Sequence, residues 1–241
     1  MNLISLHPLL ASGALQFAFD KATTEGKLTI GALVILSLFS WTVIVTKAHQ
    51  LYLAVKLTRK FIVAFDAASN PLEMSRAAGQ FDNVPAFQVY RRAANEVERL
   101  LKIAPAANEP GRMCAPAFEA VKATLEESAG AEAISLERGM IVLSTAVAGG
   151  PFIGLLGTVW GVMETFAGTA HANAATLTAM APGVAGALIA TVVGLLVAIP
   201  AMFAYNFMVT TIRNLTQELD AFATRYAAQV SLTYVERATA A

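Results

Sequence analysis

The chain has 241 residues, of which 56% are hydrophobic and 14% are charged, with 17 basic and 17 acidic side chains. A soluble domain has about 25% charged residues, so this composition and the mean hydropathy of +0.57 indicate a membrane protein and give no basis for a nucleic-acid partner. The single cysteine, Cys114, excludes an internal disulfide and offers no metal-site spacing.

The first strongly apolar stretch begins after residue 27. Residues 1–27 lack the basic start and the small-residue cleavage site of a signal peptide, so we expect them to remain as an N-terminal segment. Residues 28–46, "LTIGALVILSLFSWTVIVT", are close to the ~20 apolar residues that a helix needs to cross a bilayer. They are predicted to form the first transmembrane helix.

The long segment that follows is predicted to be helical and cytoplasmic. Residues 47–138 hold twelve of the 17 lysines and arginines, and an excess of basic residues marks the cytoplasmic side of a membrane. We therefore assign residues 47–139 to the cytoplasm and the N-terminus to the outside. A break is expected at 104–111, with a second helix starting near Pro116. Before the break, one apolar stripe has helical spacing: Phe87, Tyr90, Ala94, Val97 and Leu101.

Two longer apolar stretches follow, residues 140–168 and 177–211, joined by a short loop at 169–176. Both exceed the minimum span, so each is expected to tilt or to continue beyond the hydrocarbon as one helix. The loop is then outside, and residues 212–241 form a cytoplasmic helical tail. The predicted fold class is an all-α integral membrane protein with three transmembrane helices, the last two extending into a helical cytoplasmic domain. The tail carries its own apolar stripe: Ile212, Leu215, Leu219, Phe222 and Tyr226.

Both long stretches carry small residues at intervals of about one helical turn. Lipid gives helices no hydrophobic reason to associate, so close approach through small side chains matters more in a membrane. We predict that the two rows pack tightly, either against each other or against copies of the chain in neighbouring subunits. The second stretch has Gly150, Gly154, Gly157 and Gly161, and the third has Gly186, Ala190, Gly194 and Ala198.

Three polar side chains in these apolar stretches are candidates for a functional role. Thr158 and Thr191 lie roughly 15 and 21 Å from the outer ends of their predicted spans, at 1.5 Å per residue, which puts both near the middle of the bilayer. Each threonine either bonds a carbonyl one turn back in its own helix or contributes to a shared polar path. Glu164 is the only carboxylate in the two spans. It lies near the outer end, where it has either an interfacial role or a role in an ion path.

Two motifs resemble a known family. "GPFIGLLGTVWGVMETF" and "MAPGVAGALIATVVGLLVAIPAMFAYN" are similar to the two signature helices of the MotA/TolQ/ExbB proton-channel family. The order of the elements also resembles the TolQ and ExbB branch. That branch has an outside N-terminus, one span, a cytoplasmic domain, two long helices and a short helical tail.

The resemblance implies a homo-oligomer in the inner membrane, in which five copies of the chain surround a dimer of a single-span partner of the ExbD or TolR type. It implies that residues 1–27 and 169–176 are periplasmic. The partner's essential aspartate would work in the central pore, where Thr158 and Thr191 match the family's pore-lining threonines. Proton flow would then drive work on a periplasmic or outer-membrane process, with a TonB- or TolA-like protein as a further partner.

One position departs from the family pattern. The third-helix motif of ExbB and TolQ commonly reads "APGIAEAL", whereas this chain reads "APGVAGAL", with Gly186 in place of the glutamate. The loss of an ionisable pore residue leaves two interpretations open, a proton-driven motor subunit and a related scaffold that no longer conducts. A small-solute transporter is a third interpretation, for which the expected inverted repeats and broken half-helices are not visible. No enzymatic activity, catalytic residue, cofactor or metal site is expected, because the corresponding motifs are absent.

Overall fold

Nearly all of the described chain is helical, and no strand is formed within it. The predicted segments at the N-terminus, in the 169–176 loop and at the end of the tail lie partly outside the described residues, at 1–23, 172–176 and 237–241. The computed structural model describes residues 24–76, 79, 81–106, 109–171 and 177–236.

Five α-helices and one short 3₁₀ helix make up this described part. Three of the α-helices, the first and the last two, are long and apolar enough to cross a membrane. The predicted fold class, an all-α membrane protein with three transmembrane helices, is therefore confirmed. Each of the three is longer than the span predicted from its apolar residues. In chain order the elements are α1, Thr24–Asp66; the 3₁₀ helix, Glu73–Arg76; α2, Pro85–Ile103; α3, Ala115–Glu137; α4, Met140–His171; and α5, Leu177–Tyr234.

Proline and glycine set the ends of the middle helices. Pro85 and Pro116 occupy the first turns of α2 and α3, where a helix makes no use of the backbone N–H that proline lacks. Gly111 and Gly139 have φ angles of +83° and +85°, a left-handed conformation that glycine adopts without strain. Gly111 lies in the break between α2 and α3, and Gly139 lies in the break between α3 and α4.

Contacts divide the chain into two compact units. The first, here the three-helix unit, contains residues 1–46 and 139–207, and the second, here the four-helix unit, contains residues 47–138 and 208–241. The described part of the three-helix unit consists of α4 and the N-terminal portions of α1 and α5. The four-helix unit consists of α2, α3 and the C-terminal portions of α1 and α5.

Aromatic side chains fill the centre of the four-helix unit. Phe61 and Phe65 of α1 each pack edge-on against Phe222 of α5, with ring centroids 5.6 and 5.2 Å apart. Tyr90 of α2 packs edge-on against Tyr226 of α5, at 5.4 Å. All five rings are fully buried, and edge-to-face pairs add stabilisation beyond the burial of apolar area. This cluster ties α1, α2 and α5 together.

Both apolar stripes predicted from the sequence line this core. Every predicted member in the tail is buried, and so are the first four in α2. Near the end of α2, Leu100 is buried, whereas the predicted Leu101 is only partly buried. At 100° per residue either leucine continues the stripe, and the packing of α2 against its neighbours selects the first.

The phenol of Tyr226 generates a prediction about stability. Its oxygen is buried with no hydrogen-bond partner among the described residues, and burial raises the pKa of Tyr226, so the group stays neutral. Tyr226→Phe should leave the free energy of unfolding unchanged or raise it by about 1 kcal/mol, because removing an unsatisfied polar group has no cost. Phe222→Ala should lower it by about 3–5 kcal/mol, because it opens a cavity.

Chemical unfolding of the purified chain in detergent, followed by near-ultraviolet circular dichroism, measures both effects. A clear loss of stability in Tyr226→Phe would show that the hydroxyl has a partner.

Candidate functional site

Helices α4 and α5 run antiparallel and approach so closely that two glycines leave no room for a side chain. A Cβ atom at Gly154 would lie 2.8 Å from the carbonyl oxygen of Ala190 and 2.9 Å from the Cα atom of Thr191. A Cβ atom at Gly194 would lie 2.6 Å from the carbonyl oxygen of Gly150. The opposing atoms belong to the backbone and cannot rotate away, so both positions require glycine.

The same contact continues towards the loop between the two helices. A Cβ atom at Gly161 would lie 2.8 Å from the Cβ atom of Ala187, and one at Gly183 would clash with the Thr165 side chain. Gly186, which the sequence analysis placed in this row, is buried. Ala187 and Gly183 contact α4 at this level, and neither was predicted from the sequence. Steps of four residues overshoot a helical turn by about 40°, so a long contacting row also needs a step of three, here from Ala187 to Ala190.

These close approaches occur within one chain. The small rows, predicted to pack either against each other or against neighbouring copies, contact each other in the single chain, and packing against copies stays a prediction. At the opposite end of the row, a Cβ atom at Gly150 would lie 3.3 Å from the Cβ atom of Ala198. At Gly157 the first helix joins the contact, because a Cβ atom there would lie 2.7 Å from the Thr29 hydroxyl oxygen and 2.6 Å from the Cβ atom of Ala190.

The two mid-span threonines have different hydrogen-bond partners. The Thr191 hydroxyl donates across the helix pair to the carbonyl oxygen of Gly154, at 3.1 Å. The Thr158 hydroxyl donates to the carbonyl oxygen of Leu155 in its own helix, at 2.7 Å. Both threonines are partly buried. Thr191 therefore links α5 to α4, and it can do so because the absence of a side chain at Gly154 lets the two backbones meet.

Each hydroxyl keeps part of its hydrogen-bonding capacity. A threonine hydroxyl has one donor and two acceptor lone pairs, and the donor of each is already used on a backbone carbonyl. The acceptor positions remain for a water molecule or for a protonated carboxyl group. Glu164, the third predicted polar residue, is exposed two turns before α4 ends at His171.

The remaining faces of α4 and of the N-terminal portion of α5 are mostly apolar. Their exposed large side chains suit the hydrocarbon of a bilayer or the apolar surface of another membrane chain. On α4 they include Phe152, Leu155, Trp160 and Phe166, and on α5 they include Leu188, Leu196, Phe203 and Phe207.

The backbone contact generates the second prediction. Gly154→Ala and Gly194→Ala should each lower the stability of the three-helix unit by about 1–3 kcal/mol, because overpacking forces the helices apart. Gly149→Ala is the matched control on α4, since a Cβ atom at Gly149 would meet nothing within 4 Å. Thermal unfolding in detergent should show a lower midpoint for the first two variants only. Equal midpoints for all three would contradict the close approach.

Comparison with known proteins gives the family. The MotA/TolQ/ExbB proton channel family matches residues 81–221 of this chain. The Tol-Pal system protein TolQ of Haemophilus influenzae is 32% identical over 206 residues, which cover 85% of this chain and 88% of that protein. TolQ of Pseudomonas aeruginosa is 33% identical over 78% of this chain and 79% of that protein. The biopolymer transport protein ExbB of Salmonella typhimurium is 33% identical over 78% of this chain and 74% of that protein. This three-span chain therefore belongs to the MotA/TolQ/ExbB proton channel family.

Proposed function

We propose that the chain is the three-span subunit of a proton-driven motor in the bacterial inner membrane. The observation that carries the proposal is a pair of hydroxyls predicted at mid-span, those of Thr158 and Thr191, on two tightly packed helices. Between Gly139 and Ile212 the chain has one carboxylate and no basic residue. The membership of a proton channel family and the similarity to TolQ and ExbB support it. In this proposal the chain has no enzymatic activity.

A proton path needs a group that gains and loses a proton, and a threonine hydroxyl does not titrate in the physiological range. Glu164 is exposed near one end of α4, away from the depth of the two threonines. The titrating group at mid-span must then come from another chain. We propose a single-span partner of the ExbD or TolR type, whose carboxylate passes the two hydroxyls.

The hydrogen bond of Thr191 suits this task. In an α-helix the carbonyl of Gly154 also accepts the backbone N–H of Thr158, so the carbonyl stays bonded if the Thr191 hydroxyl turns away. Thr191 can therefore accept from a protonated carboxyl in its present rotamer. It can donate to an ionised one after rotation, and neither state leaves a buried polar group without a bond. The threonines add no fixed charge that would hold the proton.

The assembly follows from the same reasoning. One α4–α5 pair supplies hydroxyls to one side of the partner's helix only. Several copies of the chain are therefore needed to surround that helix. We propose the homopentamer that the resemblance implies, with the N-terminus in the periplasm and the tail in the cytoplasm. A TonB- or TolA-like protein would carry the work to a periplasmic or outer-membrane process.

A second candidate is a scaffold that holds the same partner without conducting protons. It is favoured by one observation, the buried Gly186 at the position where the family motif commonly has glutamate. Glycine supplies no ionisable group there. Proton flux through vesicles that contain the chain and its partner distinguishes the two candidates, because the scaffold gives none.

Orientation is tested by labelling single cysteines in a Cys114→Ser background. The excess of basic residues predicts that residues 47–139 are cytoplasmic and that residues 169–176 are periplasmic. A membrane-impermeant thiol reagent added outside should label Ala174→Cys and leave Arg91→Cys unlabelled until the membrane is opened. The reverse pattern would overturn the proposed orientation.

The role of the hydroxyls is tested by valine, which has nearly the shape of threonine. The double variant Thr158→Val with Thr191→Val should lower proton flux by about tenfold, equivalent to about 1.4 kcal/mol on the barrier. Thr145→Val is the matched control on α4, because the Thr145 hydroxyl bonds its own helix at Ile141 and is exposed.

Native mass spectrometry must first show that the variants keep the wild-type oligomer. Full flux in the double variant would end the proton-path role of both threonines and leave Thr191 as a link between two helices.

A further inference from the structure

We propose that the four-helix unit carries two complementary docking surfaces, by which one copy of the chain binds the next, head to tail. The basic face consists of Lys56, Arg59 and Lys60 on α1. The acidic groove lies between α3 and α5, with Glu126 and Asp220 at its rim. This inference rests on the homo-oligomer of the proposed function and names the surfaces through which its copies meet.

The basic face holds positive charge that its own chain leaves largely unneutralised. Lys56, Arg59 and Lys60 are all exposed. Among the described residues only Arg59 of the three forms an ion pair, at 3.7 Å with Glu218, and its side chain remains 72% exposed. Val63, one turn further along α1, is also 70% exposed and gives the face an apolar side chain to bury.

The acidic groove has a volume of about 380 Å³ and combines carboxylates at its rim with apolar side chains between them. Glu126 and Asp220 are exposed at its rim, and neither forms an ion pair within the part of the chain that the structure describes. Lys122 also borders the groove, but its ammonium is 2.8 Å from the carboxylate of Glu119, which neutralises it. Lysine and arginine bury aliphatic stems while the charge stays in water. The floor that would receive the stem is formed by Leu125, Ala129, Ala223 and Ala227.

The two surfaces lie at the same level along the unit. Arg59 and Asp66 of α1 each pair with the residue of α5 that lies 159 positions later in the chain, so the two helices run parallel in one register between these pairs. Asp220 is therefore level with Phe61, the neighbour of Lys60. The two ion pairs that show this register are Arg59 with Glu218 and Asp66 with Arg225.

The two surfaces also face different sides of the unit. On α5, Glu218 faces α1, whereas Asp220 lies 200° further round the helix and borders α3. On α1, Arg59 faces α5, and Lys60 lies 100° further round. The basic face of one copy therefore cannot fill the groove of the same copy.

In a heterologous contact, one surface of a chain binds a different surface of the next copy, so the two surfaces must be complementary, lie at one level and face different sides. Such contacts repeat around an axis and form a ring when the rotation closes. Exposed ion pairs contribute little stability. The two docking surfaces are therefore expected to fix how neighbouring copies are aligned and to add little stability. The informative measurement is whether Lys60 of one copy lies close to Asp220 of the next.

The test is disulfide cross-linking of the full-length chain in membranes, with Lys60→Cys and Asp220→Cys in a Cys114→Ser background. A disulfide forms only when the two Cα atoms come within about 7 Å. Oxidation should give a ladder of covalent oligomers on a denaturing gel, because each copy then carries one cysteine for each neighbour. Contacts between like surfaces would stop at dimers.

Lys56→Glu should lower the ladder yield about fivefold, and adding Glu126→Lys should restore it.

The matched control pairs Asp220→Cys with Arg91→Cys, an exposed position on α2, and it should give no ladder. An intact oligomer by native mass spectrometry with no Lys60–Asp220 ladder would overturn the docking surfaces and leave the proposed function standing. A ladder that charge reversal does not change would overturn the charge recognition. A chain that stays monomeric in membranes would overturn the homo-oligomer itself.

Discussion

The backbones of α4 and α5 touch at Gly154 and Gly194, and the arrangement of the candidate site depends on that contact. In lipid, a packed helix pair gains nothing from excluding water, so its stability rests on close contact and on interhelical hydrogen bonds. Glycine supplies the first by removing the side chain that would separate the backbones. It also supplies the second. Because Gly154 has no side chain, its carbonyl oxygen can lie 3.1 Å from the Thr191 hydroxyl oxygen.

The polar groups of the site are placed so that none carries a fixed charge at mid-span. A charged side chain in the hydrocarbon is costly, and a permanent one would also trap a passing ion of opposite sign. Hydroxyls can accept or donate without either cost. In the proposed function the chain therefore provides a polar lining, and the partner provides the titrating group that a proton path needs.

The four-helix unit obtains its stability in a different way. Its centre is a dry aromatic cluster in which Phe61, Phe65 and Phe222 interlock, a core that water-soluble domains also use. The same cluster packs α1 against α5 in one register, which two exposed ion pairs on the surface also show, Arg59–Glu218 and Asp66–Arg225. A rigid register is what lets a charged face and a groove of opposite charge stay at one level.

The sequence by itself determined the helical elements. The length of the apolar stretches predicts three spanning helices, the helical spacing of Phe222 and Tyr226 predicts a buried stripe, and two motifs indicate the family. Tertiary structure alone decided which residues meet. Spacing does not predict that Ala187 contacts Gly161 of α4, because turns of 3.6 residues admit steps of three or four. It also does not show that Thr191 bonds Gly154 while Thr158 bonds its own helix. Likewise Glu126 and Asp220 are far apart in the chain, and they border one groove only because α3 and α5 pack side by side.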